Sequence, residues 1–273
     1  MAFSLLDDAL LTGGTDGRLR FWNTETFRGE GELDAGVSVT SLAVSPSGTR
    51  IVVGGRRRGC SVWSYPEGAF LERMPHHKRP VSTVDVAPSG LIVASGSYEG
   101  TVRLWEMDAC REIDSFLNDR RRTAGAVFTP DGEYLVTNGF GGIVGVWTVP
   151  GFELLRAVHC HATAVFPPCF SPEGELMVTH GLEREMRVWN TDEWSFAGGL
   201  TLPRSGPLLA AYGPVASELI AASASTVWGI DPRRQSVEWI TELEDIAVSS
   251  VAVSPSGEMA ALGTEDGRVV LMS

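Results

Sequence analysis

No part of this chain has the run of about 18 consecutive apolar residues that a transmembrane helix requires. No long segment shows the apolar spacing of about 3.6 residues that marks an amphipathic helix. The four cysteines, Cys60, Cys110, Cys160 and Cys169, are scattered and form no CxxC pair, which argues against a disulfide framework and against a zinc ribbon. A reducing, cytoplasmic setting is therefore expected. The N-terminus has Asp7 and Asp8 where a secretory signal would have a basic start and a longer apolar stretch. Basic residues are outnumbered, 22 against 34 acidic, for a net charge of −12. That balance argues against a general affinity for nucleic acid or for an anionic membrane, although local basic patches remain open.

Turn formers, by contrast, are plentiful, with 31 glycines and 15 prolines, and they recur at a fixed interval. Pro46, Pro88, Pro130, Pro172 and Pro214 follow one another every 42 residues, and Pro255 comes 41 later. At five of these six places the pattern is a small residue, Pro, any residue, then Gly, as in Ser45-Pro46-Ser47-Gly48 and Ala87 to Gly90. Proline's fixed φ at the second position and glycine at the fourth suit a type I turn. Seventeen residues past the proline stands a large residue that closes a β-like run: Trp63, Trp105, Trp147, Trp189 and Met272. One repeat is a residue shorter and has Ile230 there; Trp22 marks one more unit at the start, with Leu5 at the proline position.

Seven units result, ending near 35, 77, 119, 161, 203, 244 and 273, within a single domain over residues 1–273. Breakers divide a unit into four short strands, for example Val81 to Ala87, Leu91 to Gly96, Thr101 to Glu106 and Arg111 to Phe116. Segments such as Ile51-Val52-Val53, apolar throughout, suit strands covered on both faces. One such sheet cannot bury both of its faces, but a series of them stacked side by side can.

Val84 to Gly90 and Ser97 to Trp105 resemble the repeat of the WD-repeat family almost position for position, and the likeness extends over essentially the whole chain. It implies an all-β fold, a seven-bladed β-propeller of four-stranded antiparallel blades, and a non-catalytic role as a scaffold for protein partners. No marker Trp is followed by Asp; polar residues stand there instead. The family's hydrogen-bonded set of His, Ser or Thr, turn Asp and Trp is best matched by His77, Ser95, Glu99 in place of Asp, and Trp105. His161 occupies the same His position in a later unit, where the turn has no obvious Asp. Blades held together mainly by apolar packing are the expectation. The final unit ends after its third strand, so the last blade lacks its outer strand within this chain. That leaves either an unpaired edge open to association or a chain truncated from a longer one, and the truncated chain is favoured.

No metal, cofactor or catalytic residue is assigned. His159-Cys160-His161 with Cys169 matches no zinc spacing, and the paired glycines lie in strand-to-strand turns rather than before helices. The channel-facing strands offer little beyond Asp85, which weakens the case for a propeller enzyme. The informative signal is the clustering of basic residues. Arg56-Arg57-Arg58 lies in a turn between second and third strands, while Lys78-Arg79 and Arg120-Arg121-Arg122 lie in loops entering the next two blades. Both loop types should open on one rim. The position seven residues before the marker points to the same rim and includes Tyr98, Phe140 and Leu182. The expected partner site therefore comprises Arg56, Arg57, Arg58, Lys78, Arg79, Tyr98, Arg121, Arg122, Phe140 and Leu182, and would receive an acidic or phosphorylated peptide or protein. A regulatory or sensor domain of a larger signalling protein is the alternative reading, and nucleic acid is disfavoured by the overall acidity.

Overall fold

Each small-Pro-x-Gly sequence closes a hairpin in the computed structural model, which describes residues 1–4, 9–56, 59–118, 122–203, 208–213 and 218–272. The glycine N–H donates to the carbonyl three residues back, as Gly48 to Ser45 (2.8 Å), Gly90 to Ala87 (2.7 Å), Gly132 to Thr129 (2.9 Å), Gly174 to Ser171 (2.8 Å) and Gly257 to Ser254 (2.9 Å). In all five the glycine has φ between 65° and 76°, a left-handed conformation that other residues adopt at a cost.

These turns join first to second strands, and the described strands assemble into seven antiparallel sheets, six of four strands and one of three. The fold is thus all-β, a seven-bladed propeller whose last blade has three strands among the described residues. By strand limits, blade 1 covers 2–34, blade 2 39–74, blade 3 81–117, blade 4 123–159, blade 5 169–201, blade 6 209–242 and blade 7 248–272. The chain divides into two compact units, Met1–Val158 and His159–Ser273. Blades 1 to 4 lie in the first, save for the last residue of blade 4, and blades 5 to 7 in the second. Leu5 and Pro214 lie outside the described residues.

Within a blade, burial falls from the middle strands to the outer one. In blade 2 the second strand, Arg50–Gly55, is buried at Ile51, Val52 and Val53, whereas the fourth, Phe70–Met74, is exposed along all but its last residue. This is the apolar-throughout pattern of a strand sandwiched between neighbours. Each fully buried aliphatic side chain contributes about 1.5–3 kcal/mol. In the first unit, clusters such as Val52, Val62, Val84 and Trp105 run from one blade into the next.

Polar contacts also join successive blades. Thr40 Oγ1 donates to Val81 O (2.6 Å), and one repeat later Ser82 Oγ donates to Thr123 O (2.6 Å). The Asp85 carboxylate accepts from Phe128 N of the next blade (2.8 Å) and from Val86 N (2.9 Å), while burial pushes its carboxyl up to about 7. The one carboxylate noted on these strands therefore binds backbone rather than facing a substrate.

Glycine at one repeat position allows the close approach of blades. A Cβ on Gly96 would lie 2.6 Å from Thr123 Cγ2 and 2.7 Å from Thr83 Cγ2, and one on Gly54 would lie 2.8 Å from Val81 Cγ1. Gly96→Val is expected to destabilise the protein by about 1–3 kcal/mol through overpacking, read as a lower urea midpoint. An unchanged midpoint would mean that the blades do not abut there.

Candidate functional site

An antiparallel hairpin brings the end of its second strand beside the start of its first. The turn leaving the second strand and the loop entering the first are consequently neighbours. Backbone bonds fix this in three successive blades: Arg56 N to Ser38 O (3.0 Å), Tyr98 N to Pro80 O (3.0 Å) and Phe140 N to Arg122 O (3.2 Å). Arg56, Lys78, Arg79 and Arg122 are exposed on this rim, and Tyr98 and Phe140 are half-buried. Arg57, Arg58 and Arg121, with Arg120, lie outside the described residues. Leu182 belongs to the second unit and is exposed there.

Arg122 links the two aromatics. Its guanidinium carbon lies 5.1 Å from the ring centroid of Tyr98 and 5.6 Å from that of Phe140. Each such contact is worth about 0.5–1 kcal/mol at an exposed site, enough to restrict the side chain while leaving its N–H donors free. Among the described residues, none of Arg56, Lys78, Arg79 and Arg122 has a carboxylate within the 4.0 Å of an ion pair. Arg18, Arg50 and Arg103 are each paired with Glu32, Asp108 and Glu112 respectively. In an acidic chain, a group of unpaired cations beside aromatic rings is the arrangement suited to an anionic ligand.

The loop carrying Lys78 and Arg79 is pinned from beneath. Trp105 Nε1 donates to Ser95 Oγ (2.9 Å), Ser95 Oγ meets His77 Nε2 (2.8 Å), and His77 Nδ1 meets Glu99 Oε1 (2.8 Å). The other Glu99 oxygen accepts from Lys78 N (2.8 Å), and Ser97 Oγ donates to Pro80 O (2.9 Å). A chain of bonds thus runs from a buried indole to the basic loop. Burial holds the His77 imidazole below its ordinary value, with Glu99 pulling the other way. For Glu99, burial pushes the carboxyl up, but the bonds from His77, Thr101 and Lys78 N outweigh it and the net shift is downward.

The same set recurs more often than the sequence reading expected. In blade 5, Trp189 Nε1 donates to Thr179 Oγ1 (3.0 Å), which meets His161 Nε2 (3.1 Å), and His161 Nδ1 faces Glu183 Oε2 (3.4 Å). The turn that has no obvious Asp has Glu183, at the place of Glu99, 22 residues past its histidine. In blade 4, Asn118 replaces the histidine: Thr137 Oγ1 donates to Asn118 Oδ1 (2.6 Å) and accepts from Trp147 Nε1 (2.7 Å). Trp22 bonds Thr12 likewise (2.9 Å). Polar sets therefore brace these blades alongside the apolar packing. The cue was a hydroxyl residue ten positions before the marker Trp.

His161 of the His159-Cys160-His161 cluster is engaged in its set, and Cys160 is fully buried. Burial pushes the Cys60 and Cys169 thiols up to about 12, so both stay protonated at neutral pH. Burial likewise drives His180 down to about 4.

Two stretches, residues 25–64 and 68–106, match the family model described as WD domain, G-beta repeat. They run from the outer strand of one blade to the third strand of the next and end near Trp63 and Trp105. No curated protein matches the chain significantly.

Glu99→Gln is expected to cost about 1–3 kcal/mol at pH 7, because the buried His77 loses its charged partner. Since the Glu99 carboxyl lies below its ordinary value of 4.5 in the folded state, its contribution is present above pH 4.5 and is lost as pH falls through the folded value. Urea unfolding at pH 7 and at pH 4 should show the gap between variant and wild type narrowing in acid. A constant gap would contradict the assignment.

Proposed function

We propose, from the premise that this chain belongs to the WD-repeat family, that it is a non-catalytic scaffold whose rim over blades 2 to 4 receives an acidic or phosphorylated segment of a partner protein. WD propellers generally mediate protein interactions and are typically not catalysts. The observation that carries the finer reading is Arg122, stacked on Tyr98 and Phe140 and without a carboxylate partner among the described residues. Arginine and aromatic residues dominate interface energetics, and a guanidinium already held by its neighbours loses little freedom on binding. Planar, two-pronged donation to carboxylate or phosphate follows from the fork of the guanidinium.

The net charge of −12 makes this sector a local exception. An acidic partner segment is repelled elsewhere and attracted here, which favours orientation and on-rate over affinity alone. The described cysteines form no disulfide, in keeping with a reducing compartment such as the cytoplasm.

Affinity capture with the wild type and with the Arg56→Glu/Arg122→Glu variant, followed by mass spectrometry, tests the reading. Partners carrying acidic or phosphorylated segments should be lost from the variant, with affinity falling about tenfold or more per reversed contact. Their binding to wild type should also weaken as salt rises. An unchanged partner set would remove the rim from consideration.

A further inference from the structure

Blade 2 departs from blade 3 at the histidine and the hydroxyl of the hydrogen-bonded set but keeps its marker, Trp63. Asp34 and Ala35 stand 42 residues before His76 and His77, and Val53 stands 42 before Ser95. In blade 3 both imidazoles stand near the marker indole, His77 buried and His76 exposed. His77 bonds Ser95 as above, and the His76 ring lies 5.7 Å from that of Trp105 with its Nδ1 2.5 Å from Glu112 Oε2. In blade 2 the Ala35 methyl replaces an imidazole, and Val53 offers no acceptor. Trp63 turns its N–H instead to Ser61 Oγ (2.9 Å). A cavity of about 270 Å³ opens between blades 1 and 2, its walls including Asp34, Ala35, Val53, Trp63, Phe70 and Arg73.

We infer that this cavity is a socket for one aromatic side chain, a tyrosine or tryptophan, projecting from the acidic segment that the rim receives. The volume falls just below the roughly 300 Å³ at which sites for drug-sized ligands begin, so it suits a single ring. Two aromatic walls meet edge to face, Trp63 and Phe70 at 5.3 Å between centroids, and a third ring adds to such a cluster in the same offset geometry. The Asp34 carboxylate, whose Oδ1 accepts from Gly36 N (2.8 Å), supplies an acceptor for a phenol O–H or an indole N–H. Arg73 lies 5.9 Å over Phe70 and has no carboxylate within 4.0 Å among the described residues, so its charge is available to acidic neighbours of that ring. The same charge disfavours a lysine or arginine as the occupant. The lining residue Val37 leads directly into Ser38, whose carbonyl accepts from Arg56 N, so the socket adjoins the basic rim.

The acidic character of the segment rests on the partner reading above, whereas the affinity of the socket for a ring does not. The probes are p-cresol and 3-methylindole, analogues of the two side chains, titrated into the full chain while the indole N–H resonance of Trp63 is followed, assigned with Trp63→Phe. A saturable shift is expected in the wild type. Binding should be about tenfold or more weaker in Ala35→His/Val53→Ser, which restores the histidine and hydroxyl of blade 3 and fills the space. Phe70→Ala, which removes an exposed wall without touching the core, should weaken binding too. Arg122→Glu should leave it unchanged. No saturable shift, or equal affinity in the filled and wild-type forms, overturns the socket. If the probes bind as expected but the rim variant keeps all its partners, the socket stands and the partner reading falls.

Discussion

An indole N–H turned into a blade calls for an acceptor, and this requirement organises the blades that carry a marker tryptophan, whereas Trp228 Nε1 of blade 6 is buried with no partner among the described residues. An unsatisfied donor there would cost about 1–3 kcal/mol. Trp22, Trp105, Trp147 and Trp189 all meet it with a hydroxyl ten residues earlier, on the adjacent second strand. The bond ties the register of the two central strands to a specific side chain. Because a hydroxyl both donates and accepts, it also reaches outward, to His77, Asn118 or His161 in the loop entering the blade. Core packing and loop position are thereby coupled, and two of the loops so fixed, those of His77 and Asn118, bear the basic residues Lys78, Arg79 and Arg122.

Departures from the repeat carry the functional reading. Where the set is complete, in blade 3, His77 lies buried against Ser95 and hydrogen bonds tie the basic loop to Glu99 and Ser97. Where it is missing, in blade 2, the same geometry leaves a cavity of about 270 Å³ walled by aromatic rings. Blade 6 has Ala221 and Ile230 in the places of hydroxyl and indole, and it packs through Leu219, Ala221 and Trp228 instead. A single structural module thus yields a braced platform, an open socket and a blade with neither indole nor hydroxyl at these places, according to which few side chains are changed.

Much of this was legible in the amino-acid sequence. The spacing of prolines and marker residues placed the turns and the seven sheets, and the three-stranded last blade followed from where the final unit stops. Ser95, His77, Glu99 and Trp105 were recognisable as one set because each type stands where the repeat requires it. Glu183 stands at the same spacing as Glu99, 22 residues past its histidine and six before its tryptophan, and was legible there on the same terms. Asn118 was hidden by a shift of one residue, standing 19 rather than 18 positions before its hydroxyl partner. Sequence placed Tyr98, Phe140 and Arg122 on one rim, but it could not show one guanidinium stacked on both rings. That contact joins side chains from three separate loops, and only the close approach of adjacent blades creates it. The cavity of blade 2 was equally hidden, since it arises from what Ala35 and Val53 fail to fill.

The most direct measurement is a thermodynamic double-mutant cycle between Ser95→Ala and Trp105→Phe, with stabilities from urea unfolding. If the hydroxyl that serves the buried indole organises the blade, the two losses should fall short of additivity by about 1–3 kcal/mol. Strictly additive losses would mean that the indole and the hydroxyl act independently, and the coupling of core to rim would fall with them.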